Sequence, residues 1–166
     1  MGIRKIVKLG DETLRKVCKP QETFGPRLWM LLGDMADTMY KADGVGLAAP
    51  QIGILRRVVV IDTGDDTGLI ELINPKIVAV SEETQCGREG CLSLPGRQGV
   101  VTRPMAVQVE AQDRFGKPFT IEGSELLARA LCHEIDHLDG QLWIDVMDRE
   151  LTEEEIQGEI PEDAEA

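Results

Sequence analysis

The segment His133-Glu134-Ile135-Asp136-His137 constrains this chain more than any other. Residues four apart share a face of an α-helix, so the two imidazoles can reach one metal ion only if this stretch is helical. Glu134 then lies on the flank, where a carboxylate can hold a metal-bound water. His133 and His137 are the only histidines in the sequence, so all of its imidazole chemistry is on one turn. The surrounding pattern agrees with a helix. Ser124 reads as an N-cap, Leu126, Leu127, Ala130, Leu131, Ile135 and Leu138 recur at helical spacing, and Gly140 ends the run.

Two histidines do not complete a catalytic site, which needs three protein ligands and one open position. The extended pattern H-E-x-x-H-x-x-G-x-x-H is met at Gly140, but its last position is Trp143, which cannot ligate. Glutamates from Glu150 onward lie in an acidic stretch poorly suited to a rigid ligand. Cysteine is the remaining source. Cys91 stands in Glu89-Gly90-Cys91-Leu92-Ser93-Leu94-Pro95-Gly96, whose glycines and proline predict a loop between strands that presents one thiolate. Cys86 stands upstream at C-x4-C spacing, which opens an alternative. Cys86, Cys91, His133 and His137 would form a closed structural site without chemistry. Such a site has no use for Glu134, and the gap between its two pairs exceeds the usual finger spacing.

The chain has 166 residues, enough for one domain with a substantial core. Gly25-Pro26 followed by Leu28, Leu31, Leu32, Met35, Ala36 and Met39 predicts an amphipathic helix that stops before Gly44. Short β-like runs follow at Arg57–Asp62, Leu69–Asn74, Lys76–Ser81, Met105–Asp113 and Lys117–Glu122. Val107, Val109 and Ala111 alternate with polar residues, so that strand should have one wet face. The expected fold is α+β, a single domain with antiparallel strands packed around a central C-terminal HExxH helix and an N-terminal helix. Residues 1–148 form its body. Residues 149–166 form an acidic tail with a short helix after Thr152, capped by Glu155, and then a frayed end.

Charge and composition narrow the partners. Lys plus Arg total 18 against 30 Asp plus Glu, a net charge of -12, and nine of the acidic residues fall from Asp148 onward. A balance this acidic argues against DNA or a broad basic surface. The longest aliphatic run, Val58 to Ile61, is far too short to span a bilayer. Met1 to Gly10 has no apolar core or cleavage site, so a cytoplasmic chain is expected, with its four cysteines free as thiols or ligands.

Gly44-Val45-Gly46-Leu47-Ala48-Ala49-Pro50-Gln51 formally matches a dinucleotide fingerprint, with Asp65 roughly 20 residues beyond. That fingerprint needs a strand before it and a helix after it. Here a helix precedes and Pro50 follows, so a glycine-lined wall for a substrate backbone is the better reading. Gln51 carries an amide donor that could serve a developing oxyanion or simply lie on the surface.

Three segments, GVGLAAPQ at Gly44–Gln51, EGCLS at Glu89–Ser93 and HEIDH at His133–His137, together resemble the peptide deformylase family in motif, order and spacing. The resemblance runs over roughly Ile3 to Asp148. It implies a metallo-amidohydrolase that releases formate from N-formyl-methionyl nascent peptides. It implies one divalent metal, natively Fe²⁺, with Zn²⁺, Ni²⁺ or Co²⁺ able to substitute, on Cys91, His133 and His137, with water as the fourth ligand. Glu134 is implied as general base and then acid, with Gln51 and the Leu92 N–H as the oxyanion hole. Val45, Gly46 and Gly90 would contact the peptide backbone. Val45, Leu126, Arg129, Ala130 and His133 would line the methionine pocket. Asp136, beside the two histidines on the helix, is expected either to take a supporting role by pairing with Arg103 or simply to be solvated. Cys132 stands where the family often has Gln and is expected to face away from the metal. Some relatives end in a basic helix that docks on the ribosome; here that region is acidic, so any ribosome encounter is expected to be transient. An endopeptidase that shares the HExxH logic and a structural-metal module are the rival classes.

Overall fold

The computed structural model describes residues 2–158. Gly25-Pro26 starts α1 (Pro26–Lys41), which buries Leu28, Leu32, Met35, Ala36 and Met39 along one face. After it the chain turns into β1 (Gly46–Ala48), a 3-10 turn (Ala49–Ile52) and β2 (Val58–Ile61). All four residues of β2 are buried. The reason is that each face of its sheet carries a helix. Val58, Val60, Leu47 and Ile73 pack with α1. Val59, Ile61, Ala48 and Leu72 pack instead with Ala128, Leu131 and Ile135 of α2 (Leu126–Leu138).

The five-stranded antiparallel sheet has the order β1-β2-β3-β6-β7, with β3 at Ile70–Val80, β6 at Ala106–Gln112 and β7 at Pro118–Ser124. A second, three-stranded sheet has the order β4-β5-β8, with β4 at Thr84–Cys91, β5 at Leu94–Pro104 and β8 at Arg149–Glu150. Beneath it Leu14, Leu94, Val101, Leu142 and Trp143 form a separate core. Trp143, at the position where the extended histidine pattern fails, opens the short helix α3 (Trp143–Val146) and is a packing residue, 1% exposed.

Several local expectations are corrected. The two runs on either side of Pro75 are one strand, β3. Asn74 takes φ 54 and the register with β6 shifts between Ile73 and Lys76, so a bulge absorbs the proline. Ser124 does not cap α2. It ends β7, and Glu125 stands at the N-cap with φ 55 and no side-chain cap bond. The pairing of Ser124 with Ala106 extends the ladder to the helix start. The loop expected around Cys91 is instead the end of β4. The β4–β5 hairpin has too many Gly, Arg and Gln residues to read as strand from propensity. The one-wet-face reading of β6 holds, with Val107, Val109 and Ala111 buried.

The terminal segment pairs β8 with β5 and seats Leu151, which is 5% exposed. Glu150 accepts two bonds from Arg97, at 2.8 and 2.7 Å. Thr152 and Glu155 form the expected reciprocal cap on α4 (Glu153–Gln157). The frayed end expected beyond it lies outside the described residues.

The end of α2 is closed by the N-terminal segment. Leu138 O accepts from Cys18 N–H at 2.8 Å and from Arg57 Nη1 at 3.2 Å, so carbonyls that a helix leaves open are satisfied. Gly140 follows at φ 75, and a Cβ there would lie 2.5 Å from Arg15 O. Both its backbone conformation and that close approach demand glycine. Gly140→Ala is expected to cost about 2–4 kcal/mol, read as a lower urea midpoint with unchanged slope.

Candidate active site

Helix α2 brings His133, Glu134 and His137 inside, at 8%, 5% and 1% exposure. The last residue of β4 faces them: Cys91 Sγ lies 3.3 Å from His137 Nε2. One donor atom each from Cys91, His133 and His137 falls within 4.8 Å of the others. Cys86 is not brought to this cluster. Its thiol lies 3.3 Å from Thr102 Oγ1 and 3.6 Å from Asp148 Oδ2, which leaves the closed two-cysteine site unassembled. Cys132 and Cys18 are buried among apolar side chains, and burial pushes both thiols up to about 11.

Glu89 stands behind the cluster. It lies two residues before Cys91 on β4, buried at 6% exposure. Its carboxylate accepts from His133 Nδ1 at 2.7 Å, from Arg103 at 3.0 and 2.6 Å, and from Arg129 at 2.7 Å. Burial opposes its charge, but the bonds from His133 and Arg103 outweigh it and hold the carboxyl well below its usual range. With Nδ1–H committed to Glu89, His133 turns its Nε2 toward the cluster. Arg103 also donates to Asp136 at 2.8 Å, the expected partner of that carboxylate.

Glu134 is different. Among the described residues its Oε1 is buried without a hydrogen-bond partner, and Oε2 is 4.0 Å from His133 Nε2. Burial pushes its carboxyl up to about 7, against the pull of His133. His137 is held well below its usual value, by burial first and then by His133. Burial also works to lower His133, but the negative charge of Glu134, Cys91 and Glu89 carries it well above the usual range. One thiolate and two imidazoles converging beside an unpartnered buried carboxylate oxygen fit a borderline divalent cation. A cation on His133 would displace a proton from it.

Gln51 is not on the surface; it is 1% exposed. Its Oε1 accepts from Ala48 N–H at 2.9 Å, which turns Nε2 toward Cys91 Sγ at 3.4 Å and Ser93 Oγ at 3.2 Å. A cavity of about 510 Å³ is lined by Val45, Gly46, Gln51, Gly90, Cys91, Leu92, Leu126, Arg129, Ala130, His133 and Glu134. The other histidine, His137, does not line it and is 1% exposed. Arg129 lines the wall, but its guanidinium is occupied by Glu89 and by Val101 O at 2.9 Å. The cavity lies between two open sheet edges, β1 of the larger sheet and β4 of the smaller.

Sequence reasoning assigned no role to Glu89 or Ser93. The available signal was the alternation of a strand, which puts residues 89 and 91 on one face. It was hidden because the segment reads as a loop.

Residues 3–153 match the family model of polypeptide deformylase. The peptide deformylase of Acetivibrio thermocellus is 57% identical over 157 residues, covering 95% of this chain and 91% of that protein. That of Thermoanaerobacter pseudethanolicus is 59% identical over 155 residues, covering 93% and 96%. Among solved structures, a peptide deformylase from Legionella pneumophila superposes with TM-score 0.84 at 53% identity, covering 88% of this chain and 86% of that one. The enzyme from Synechococcus elongatus, crystallised in complex with actinonin, gives 0.85 at 39% identity, covering 90% and 81%. The fold places the chain in the hydrolase class, and its Cys–His–His cluster, with both histidines buried, could hold a metal ion. The chain belongs to the peptide deformylase family, whose members remove the formyl group from nascent polypeptides.

Glu89→Ala would leave two buried guanidiniums without their shared carboxylate. A loss of about 3–5 kcal/mol is expected in urea unfolding, and a zinc titration should show affinity reduced about 10–100-fold.

Proposed function

We propose that this chain hydrolyses the formyl amide of N-formyl-methionyl peptides, with Glu134 moving the proton and Cys91, His133 and His137 holding one divalent cation. The observation that carries the reading is the cluster of those three donors, two of which, Cys91 and His133, line one cavity with Glu134 and the Gln51 amide between two open strand edges. Fe²⁺ is the expected ion, and the same donors suit Zn²⁺, Ni²⁺ or Co²⁺. When bound, the ion acidifies water and polarises the formyl oxygen.

The remaining work falls to the protein. Glu134 takes a proton as the water oxygen bonds to the formyl carbon. It then hands that proton to the amine nitrogen as the C–N bond breaks, leaving formate and a free N-terminus. Its raised affinity for a proton, caused by burial, suits both halves of this exchange. Gln51 Nε2 and the Leu92 N–H donate to the oxygen as charge develops on it. Ala48 N–H and Ser93 Oγ hold the Gln51 amide in the required orientation.

An extended peptide can pair along an open strand edge. We assign backbone contacts to Val45, Gly46 and Gly90, and the methionine pocket to Val45, Leu126, Ala130, His133 and the aliphatic stem of Arg129. The formyl carbon bears only hydrogen, so a tight site accepts it and excludes larger acyl groups, in contrast to an endopeptidase. Residues 1–148 form the catalytic body, and the acidic 149–166 segment lies outside the chemistry. Its charge disfavours RNA, so encounter with the ribosome would be transient. No helix among the described residues is long and apolar enough to cross a membrane. We place the action on nascent chains in the cytoplasm.

Formate release from a formyl-Met tripeptide tests the reading. Glu134→Gln is expected to lower kcat by about 10²–10⁴-fold while the protein retains its metal. Gln51→Ala is expected to lower kcat by about 10²–10³-fold. No formate from metal-loaded wild type would overturn the assignment.

A further inference from the structure

The backbone of β1 passes directly against the carboxylate of Glu134. A Cβ placed on Gly46 would lie 2.6 Å from Glu134 Oε2 and 2.9 Å from both its Cδ and its Cγ. Contacts under 3.0 Å are essentially unknown for real Cβ atoms. Turning the terminal carboxylate would not relieve this one, because Cγ is part of it. The side chain has little room to leave, since Glu134 is 5% exposed and sits within α2.

Gly46 is not needed for its backbone conformation. It lies in extended β1, paired with Ile61, where any residue is allowed. The demand for glycine at this position is therefore a demand for space. A second observation bears on what the space is for. Among the described residues no hydrogen bond orients Glu134: Oε1 has no partner, and the nearest cation-forming atom to Oε2 is 4.0 Å away. Glu89, by contrast, is oriented by four bonds from three side chains. Packing is what remains to aim Glu134.

We propose that Gly46 is a positioning residue for Glu134: its missing side chain forms the slot in which the carboxylate lies, and strand β1 sets the carboxylate's direction into the cavity. This rests on the proton-transfer role assigned to Glu134 above and goes beyond the backbone contact assigned to Gly46. A methyl group at residue 46 displaces Glu134 from the reacting atoms without altering the metal ligands.

Gly46→Ala is compared with wild type, Glu134→Ala and the double variant. In the Glu134 background it is expected to lower kcat for formyl-Met-Ala-Ser about 10²-fold with KM unchanged, the cost of a misplaced catalytic group. In zinc-loaded protein the same substitution should lower Tm by about 3 °C or more. In the Glu134→Ala background the slot is empty. There Gly46→Ala should leave Tm unchanged. Equal Tm losses in both backgrounds would overturn the proposal and make Gly46 a backbone platform only. Wild type that releases no formate would overturn the assigned reaction instead, and the Tm comparison would still decide whether Gly46 seats Glu134.

Discussion

The carboxylate of Glu89 is the point at which the molecule's separate parts are tied together. It sits on β4 of the smaller sheet and accepts from His133 and Arg129 of α2 and from Arg103 of β5. A buried negative charge is tolerable only when it is fully bonded, and this one is bonded on both oxygens. The same contacts fix where β4 lies against α2. Since Cys91 is two residues further along β4, they also set the distance between its thiol and the histidines. The geometry of the metal-type cluster is thus a consequence of an ion network placed behind it.

A second constraint comes from the sandwich of the larger sheet between two helices. Val58 and Val60 face α1 while Val59 and Ile61 face α2. This holds β1 between β2 and the cavity, with one edge unpaired. An unpaired edge beside a deep site is where an extended chain can lie, and it is the same strand that passes over Glu134. The open edge and the close approach of the backbone to Glu134 therefore follow from one packing arrangement, and the proposed peptide path would use it.

Much of the site was legible because its chemistry is local in sequence. The helix under HEIDH follows from spacing, and the roles of Cys91, Gln51 and Leu92 were implied by resemblance to the family. Of the two readings open for Asp136, pairing with Arg103 or plain solvation, the structure shows the pairing, at 2.8 Å. Glu89 and Ser93 were not assigned because their roles depend on strand β4–β5, whose composition hides it. Ser124 misled for a related reason: a good cap residue is also an acceptable end of a strand, and its pairing with Ala106 lies 18 residues away in sequence.

By itself the sequence determined the helical turn that carries both histidines, the apolar faces of α1 and β6, and the absence of any long basic or bilayer-spanning stretch. Those are properties of neighbours within a few residues, where side-chain periodicity and net charge suffice. Tertiary structure alone decided that the Arg129 guanidinium is committed to Glu89 and that Gly46 lies against Glu134. Each of these depends on how two sheets meet one helix. That meeting is set by packing and by a buried ion network between segments tens of residues apart.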